Sequence, residues 1–293
     1  MTHTLATELG PVGVWSIALK SPDGSPQPAF LDAARELEQL GYRALWIGGS
    51  PTVRQAEPLL AATSTLRVAT GITSIWGNEA QTEAADFAEV NDAHDNRFVL
   101  GLGVSHGPLT ERYHRPYSSM VEYLTALDQA PRPVPRERRV LAALGPKMLE
   151  LARDRAAGAH PYLVTVEHTA QARATLGDDA LLAPELKVVL DDDLTRARAT
   201  ARGYLSGYLK LPNYTNNLLR AGFTDEDFVD GGSDRLLAEV FALGDQDTIR
   251  QRVADYLDAG ADHLAVQIVT DRIGAEFPLA EYRALAPILP LSS

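Results

Sequence analysis

The chain has no cysteine, which removes disulfides, thiolate nucleophiles and cysteine-held iron–sulfur clusters together. No uninterrupted apolar run approaches the ~20 residues needed to span a bilayer. The opening Met1-Thr2-His3-Thr4 lacks the basic-then-apolar pattern of a secretory signal, so the expected address is cytoplasmic. Positive charge is scarce: 27 Lys and Arg stand against 39 Asp and Glu, a net charge of -12. That balance opposes nucleic acid and anionic membranes as partners, because their affinity comes from basic patches that release counterions. The one basic block, Arg132, Arg136, Arg138 and Arg139, is interleaved with Pro131, Pro133 and Pro135 and holds no aromatic. It reads as a solvated linker, with phosphate binding as the alternative. No Gly/Ser linker or low-complexity tract divides the 293 residues, and a single domain over 1–293 is expected.

What the chain does have is repetition. Three times a helical stretch closes on a small or apolar residue and Gly, and an apolar strand starts two residues later. Leu40-Gly41-Tyr42-Arg43 precedes Ala44-Leu45-Trp46-Ile47, Ala157-Gly158-Ala159-His160 precedes Pro161-Tyr162-Leu163-Val164, and Ala259-Gly260-Ala261-Asp262 precedes His263-Leu264-Ala265-Val266. Gly ends a helix in the left-handed conformation at little steric cost, so the next strand can turn back against that helix. This is the αβ unit of a parallel sheet. Copies near the start, middle and end predict an α/β protein built as a (β/α)8 TIM barrel, for which about 250 residues plus insertions is typical. Strands are expected at 12–19, 44–47, 66–72, 98–102, 140–143, 162–164, 186–190 and 263–268, with helices between them. The alternation breaks at 105–138, after strand four, and at 211–234, after strand seven; both read as insertions.

A barrel of this kind works at the carboxyl ends of its strands. The residues expected there are Lys20 and Ser21, Gly48-Gly49-Ser50, Gly71-Ile72-Thr73, Gly103 with Ser105 and His106, Leu144-Gly145-Pro146-Lys147, Thr165, Asp191 to Asp193, and Thr270 with Asp271. The rim is rich in Gly, Ser and Thr and poor in paired acids and bases. His106 is the one histidine placed on it, and Asp191-Asp192-Asp193 reads as the start of the helix at Leu194, with metal binding as the alternative. A Schiff-base lysine is not evident either: Lys187 falls at the amino end of its strand, and Lys20 sits in a polar turn with Pro22-Asp23-Gly24. A rim of backbone donors and hydroxyls suits chemistry carried by a bound organic cofactor. His160 reads as structural, and His94 and His168 as solvated or capping.

Three stretches, Arg67-Val68-Ala69-Thr70-Gly71-Ile72-Thr73, Arg97-Phe98-Val99-Leu100-Gly101-Leu102-Gly103 and 245–266, resemble the luciferase-like monooxygenase superfamily. Gly103-Val104-Ser105-His106, Leu141 to Met148 and Gly158 to Thr165 are similar to phrases of its coenzyme F420-dependent, or deazaflavin-dependent, branch. The resemblance covers nearly the whole chain.

It implies that Gly71-Ile72 forms a strand-three bulge with a non-prolyl cis peptide against the cofactor's tricyclic ring. It also implies that Gly145, Lys147 and Met148, opening the helix after strand five, receive the cofactor's phosphate on free N–H groups. Gly48, Gly49, Gly103, Ser105 and Thr165 complete the implied cofactor site, with Ser105 and His106 beside the redox-active ring as catalytic residues. The sequence departs from the pattern after strand two, where related dehydrogenases have an acidic residue and a histidine and this chain has Gly48-Gly49-Ser50. The resemblance therefore implies an F420-dependent oxidoreductase that moves a hydride to or from a small organic substrate. The alternatives are an FMN-dependent monooxygenase served by a partner reductase and a non-catalytic flavin-binding barrel. A homodimer through the half containing Trp46 and Trp76 is implied as well. Trp76, Tyr113, Tyr117 and Tyr214 are candidates for an aromatic pocket wall beneath the insertions.

Overall fold

The computed structural model describes residues 4–19, 27–272 and 276–291, so Lys20 and Ser21 lie outside the described residues. A short helix α1 (Thr4–Leu9) leads into β1 (Val12–Ser16), followed by α2 (Pro28–Gln39), β2 (Ala44–Ile47), α3 (Glu57–Ala62) and β3 (Arg67–Thr70). A two-residue strand β4 (Thr73–Ser74) continues β3 past Gly71-Ile72, and α4 (Ala80–Ala93), β5 (Phe98–Gly103), α5 (Pro116–Asp128) and β6 (Arg139–Leu141) come next. Then follow α6 (Pro146–Arg155), β7 (Gly158–Ala159), α7 (Val166–Leu176), β8 (Leu181–Leu182) and β9 (Glu185–Leu190). The chain finishes with α8 (Leu194–Tyr208), α9 (Pro212–Arg220), α10 (Asp234–Val240), β10 (Phe241–Gly244), α11 (Gln246–Asp258), β11 (Leu264–Ile268) and α12 (Leu279–Leu285). No helix among the described residues is long and apolar enough to cross a membrane.

All strand pairings are parallel, in the order β10-β9-β11-β1-β2-β3-β5-β6-β7-β8. β8 runs through Ala183-Pro184 into β9, and this bent strand seven closes the ring. Ala183 N–H donates to Ala159 O at 2.9 Å on one side, and Ala265 N–H donates to Pro184 O at 3.0 Å on the other. The result is the expected eight-stranded α/β barrel. β10, a strand not expected between the second insertion and the last helix, pairs with the outer half of β9.

Strand alternation sorts the core into two layers. Val14, Leu45, Val68, Phe98 and Leu264 face the surrounding helices. Ala44, Ala69, Val99, Val140, Leu181 and Ala265 fill the interior, where Leu5 and Leu9 of α1 close the amino end. A third cluster joins α8, α9 and α10 over β9 and β10 through Leu205, Leu218, Leu237 and Phe241.

Two of the three glycine phrases end helices as expected. Gly41 and Gly260 have φ of 95° and 101°, and the N–H groups of Tyr42 and Ala261 reach back to Leu37 O and Tyr256 O. The middle copy differs. Gly158 is the first residue of β7, where an added Cβ would lie 1.9 Å from Leu181 O, so its role is close approach of two strands. The sixth strand is accordingly Gly158–Ala159, not 162–164, and Leu163 in the expected strand has a left-handed φ of 54°. The arginine block is also no solvated linker. Arg139 is 2% exposed and pairs with Asp128 at 2.7 Å, Arg138 pairs with Glu8 at 2.6 Å, and Arg136 donates to Arg153 O.

Candidate active site

Inward positions in the upper barrel carry aromatic and charged side chains. Trp15 follows Gly13 on the inner face of β1 and donates from Nε1 to Gly71 O at 3.0 Å. Its indole occupies the hollow left by two glycines: an added Cβ would lie 2.4 Å from it at Gly48 and 2.6 Å at Gly71. Gly103 is filled likewise by Ile72, whose Cδ1 would be 2.5 Å from an added Cβ. Beneath this layer Trp46 stacks on His160 with centroids 4.3 Å apart and donates from Nε1 to His263 Nε2 at 2.9 Å. His263 therefore carries its proton on Nδ1, toward Gly10 O. His160 directs Nδ1 at Ala183 O, leaving a buried Nε2 without a partner. Burial holds both imidazoles neutral, with pKa values lowered to about 4.

A second layer stands beside Trp15. Tyr162, Tyr204 and Tyr208 bring three hydroxyls together at 2.8 to 3.0 Å, and Gln267 both accepts from Tyr162 and donates to Tyr204. Lys187 and Glu185, both inward on β9, form an ion pair at 2.6 Å with the lysine fully buried. The ammonium lies 3.7 Å from the centroid of the Tyr162 ring. Burial pushes the lysine down and the glutamate up from their ordinary pKa ranges, and their mutual attraction opposes both shifts. Lys187 is thus an interior barrel residue rather than a strand-end bystander.

The outer rim is more open. Ser105 has a left-handed φ of 57°, and its carbonyl accepts from Asn213 Nδ2 at 3.2 Å, which ties α9 to the turn after β5. His106 packs its ring against Tyr214 at 4.7 Å, with a buried Nδ1 that has no partner. Burial lowers its pKa, so the imidazole is neutral near pH 7. Gly145 caps α6, and an added Cβ there would meet nothing within 4 Å. Met148 N–H donates to Gly145 O at 3.1 Å, and Pro146 has no N–H, which leaves Lys147 to offer a backbone donor at the helix start. His168 supports this turn through Nε2 on Leu144 O at 2.9 Å, while Thr165 caps α7 by accepting from His168 N–H. Gly49 and Ser50 are exposed, and Ile72 is half-buried.

The model of the luciferase-like monooxygenases matches residues 12–263. The chain belongs to that family. Comparison with curated proteins finds no match. Among solved structures the chain is similar to an F420-dependent secondary alcohol dehydrogenase in complex with an F420-acetone adduct, at 13% identity, TM-score 0.73, and 98% and 99% of the two chains covered. It is also similar to the coenzyme F420 dependent tetrahydromethanopterin reductase from Methanopyrus kandleri, at 14% identity, TM-score 0.68, and coverage of 96% and 97%. The oxygenating constituent of 3,6-diketocamphane monooxygenase from Pseudomonas putida, in complex with FMN, aligns at 14% identity, TM-score 0.62, and coverage of 95% and 96%. At these identities the likeness is one of fold.

Within this luciferase-like barrel the peptide Gly71-Ile72 is cis, as the family pattern implied. The fit of a tricyclic cofactor divides by depth. The inner hollow at Gly48 and Gly71 already holds the Trp15 indole, whereas the outer layer of Ile72, Gly49, Ser50, Val104 to His106 and Gly145 is partly exposed. The residues leave room for a group bound across the rim, where Lys147 and the start of α6 would be the donors available to an anion.

The aromatic wall expected beneath the insertions does not gather. Trp76 meets Tyr113 at 6.4 Å, Tyr214 lies with Tyr162 and Tyr208, and Tyr117 is exposed. Trp46 is wholly buried inside the barrel, so it contributes nothing to an outer dimer surface. Asp193 caps α8 by accepting from Thr195 and Arg196 N–H, and Asp191 pairs with Arg196. Trp15, Tyr162, Tyr204 and Gln267 were missed by rim-based reasoning, and Lys187 was set aside by it. Counting inward positions along β1, β9 and β11 at the strand period of two is the signal that finds Trp15, Lys187 and Gln267.

Proposed function

We propose that this protein is an F420-dependent oxidoreductase that transfers a hydride to or from a small organic substrate. The observation that carries the reading is the open Gly145-Lys147 step at the start of α6, on the same rim as half-buried Ile72 and the His106 turn. When bound, the deazaflavin supplies the hydride. Lys147 and its backbone N–H hold the cofactor's phosphate. Trp15 and Ile72 form a rigid apolar floor that Gly48, Gly71 and Gly103 make possible by lacking side chains. Ser105 and His106 orient the substrate, and the neutral His106 imidazole takes the hydroxyl proton when an alcohol is oxidised and returns it to the carbonyl oxygen in the reverse direction. His106 takes this role because the segment after β2, Gly48-Gly49-Ser50, carries no acid or base.

This reading includes a cytoplasmic homodimer. Fluorescence titration of the purified protein with F420 and, separately, FMN tests the cofactor. F420 is expected to saturate, and Lys147→Glu is expected to weaken it by about tenfold. Saturation with FMN alone favours the monooxygenase reading. F420 binding without turnover across a broad panel of alcohols and carbonyl compounds favours the non-catalytic barrel. No binding of either overturns all three.

A further inference from the structure

Sulfur that could intercept an oxidant is scarce in this chain: it has no cysteine and three methionines, of which Met120 is fully buried. Oxidisable rings are gathered instead. Four of the ten tyrosines, Tyr162, Tyr204, Tyr208 and Tyr214, stand together beside Trp15. Ring centroids are 5.3 Å apart from Trp15 to Tyr162, 5.5 Å from Tyr162 to Tyr208 and 5.1 Å from Tyr208 to Tyr204. Rings this close are in contact, so an electron passes from one to the next without crossing saturated chain. The row starts at Trp15 in the hollow of Gly48 and Gly71 and ends at Tyr204, which with Gln267 borders a cavity at the surface.

Two features give the row a direction. A ring that loses an electron becomes positive, and the ammonium end of the Lys187–Glu185 pair lies 3.7 Å from the Tyr162 centroid but 5.7 Å from that of Tyr208. Positive charge therefore costs more on Tyr162 than on the ring beyond it. The second feature is where a proton can go. Trp15 Nε1–H faces the Gly71 carbonyl, which is no base, so oxidised Trp15 keeps its charge until an electron refills it. At the other end the hydroxyls of Tyr162, Tyr204 and Tyr208 lie 2.8 to 3.0 Å from one another, and Tyr204 meets the surface cavity, where water takes a phenolic proton.

We propose that Trp15, Tyr162, Tyr208 and Tyr204 form an electron-supply chain that draws one-electron oxidation away from the mouth. A one-electron oxidant of the photoexcited-flavin class takes an electron from Trp15. Tyr162 refills Trp15, Tyr208 refills Tyr162, and Tyr204 refills Tyr208 while its Oη proton passes to water. In sum the oxidant gains one electron, the O–H bond of Tyr204 breaks, one proton is released, and a neutral tyrosyl radical stands away from the site. A soluble reductant of the ascorbate class restores Tyr204 by returning a hydrogen atom. This function is separate from hydride transfer and does not depend on which cofactor the protein binds.

Illumination of the full chain with free lumiflavin as the photo-oxidant, followed by freezing and electron paramagnetic resonance, reads where the unpaired electron rests. Tyr117 is 44% exposed and intercepts a diffusing oxidant, so every sample carries Tyr117→Phe. A tyrosyl signal is expected, and Tyr204→Phe with Tyr208→Phe should remove most of it. Tyr162→Phe, which interrupts the row and leaves both terminal tyrosines in place, should also lose the tyrosyl signal and show instead an indole radical that Trp15→Phe removes. This single variant decides the matter if the double variant does not fold. A tyrosyl signal of unchanged size in these variants puts the radical on another tyrosine and overturns the proposal. So does oxidation found by mass spectrometry at methionine and histidine with no radical trapped on any ring. Because the probe is free lumiflavin, either result stands whether or not F420 binds.

Discussion

His160 and His263 show how single residues set the chemistry of the barrel interior. Each has one ring nitrogen committed to a backbone carbonyl, and each is buried beside the Trp46 ring. Their pKa values near 4 stand below the ordinary 6.5. Between those values the unfolded chain takes up protons that the folded chain refuses. Stability is therefore full above the ordinary value and falls as the pH drops toward 4, by up to about 1.4 kcal/mol per pH unit for each histidine. Urea midpoints measured across this window should fall with acid. His160→Phe, which keeps a ring against Trp46 but removes the titrating nitrogen, should flatten the slope by about that amount per pH unit. An unchanged slope would show that His160 protonates freely in the folded protein.

At the level of elements, β9 carries the most consequential pattern. Leu186 and Val188 face the helices, while Glu185 and Lys187 face the interior. Glu185 Oε1 is already without a partner and Oε2 receives only a long 3.5 Å bond from Leu163 N–H besides the lysine, so Lys187 is the charge that offsets it. Lys187→Met alone should cost about 3–5 kcal/mol in denaturant unfolding, whereas Glu185→Leu with Lys187→Met should recover most of it. Equal losses in the single and double variants would mean that shape, not charge, is what the pair maintains.

The same strands show what the sequence made legible. Long periodic elements such as α11, and strands preceded by helix-ending glycines such as β2 and β11, stand where expected. The sixth strand was misplaced because Tyr162-Leu163-Val164 is as apolar as a strand, yet Leu163 is left-handed and Pro161 lacks an N–H for a ladder. β10 was hidden because Phe241 follows α10 with no intervening turn residue. The rim residues could be read from strand ends. Trp15 and Lys187 could not be found that way, since they act from inside the strands through what they pack against.

For the molecule as a whole, among the described residues the closed ring and the plugged amino end leave the carboxyl-end face open, where α9 is tied to the turn after β5. Its floor is protein and its rim is a set of backbone and hydroxyl groups, so the proposed cofactor would lie across the mouth rather than down the barrel. The most direct measurement is a crystal structure of the protein with F420 bound. The account predicts the deazaflavin ring against Ile72 above Trp15, the phosphate at Lys147 and the start of α6, and His106 facing the ring. F420 bound elsewhere, or a mouth that excludes it while Trp15 stays in place, would contradict the account.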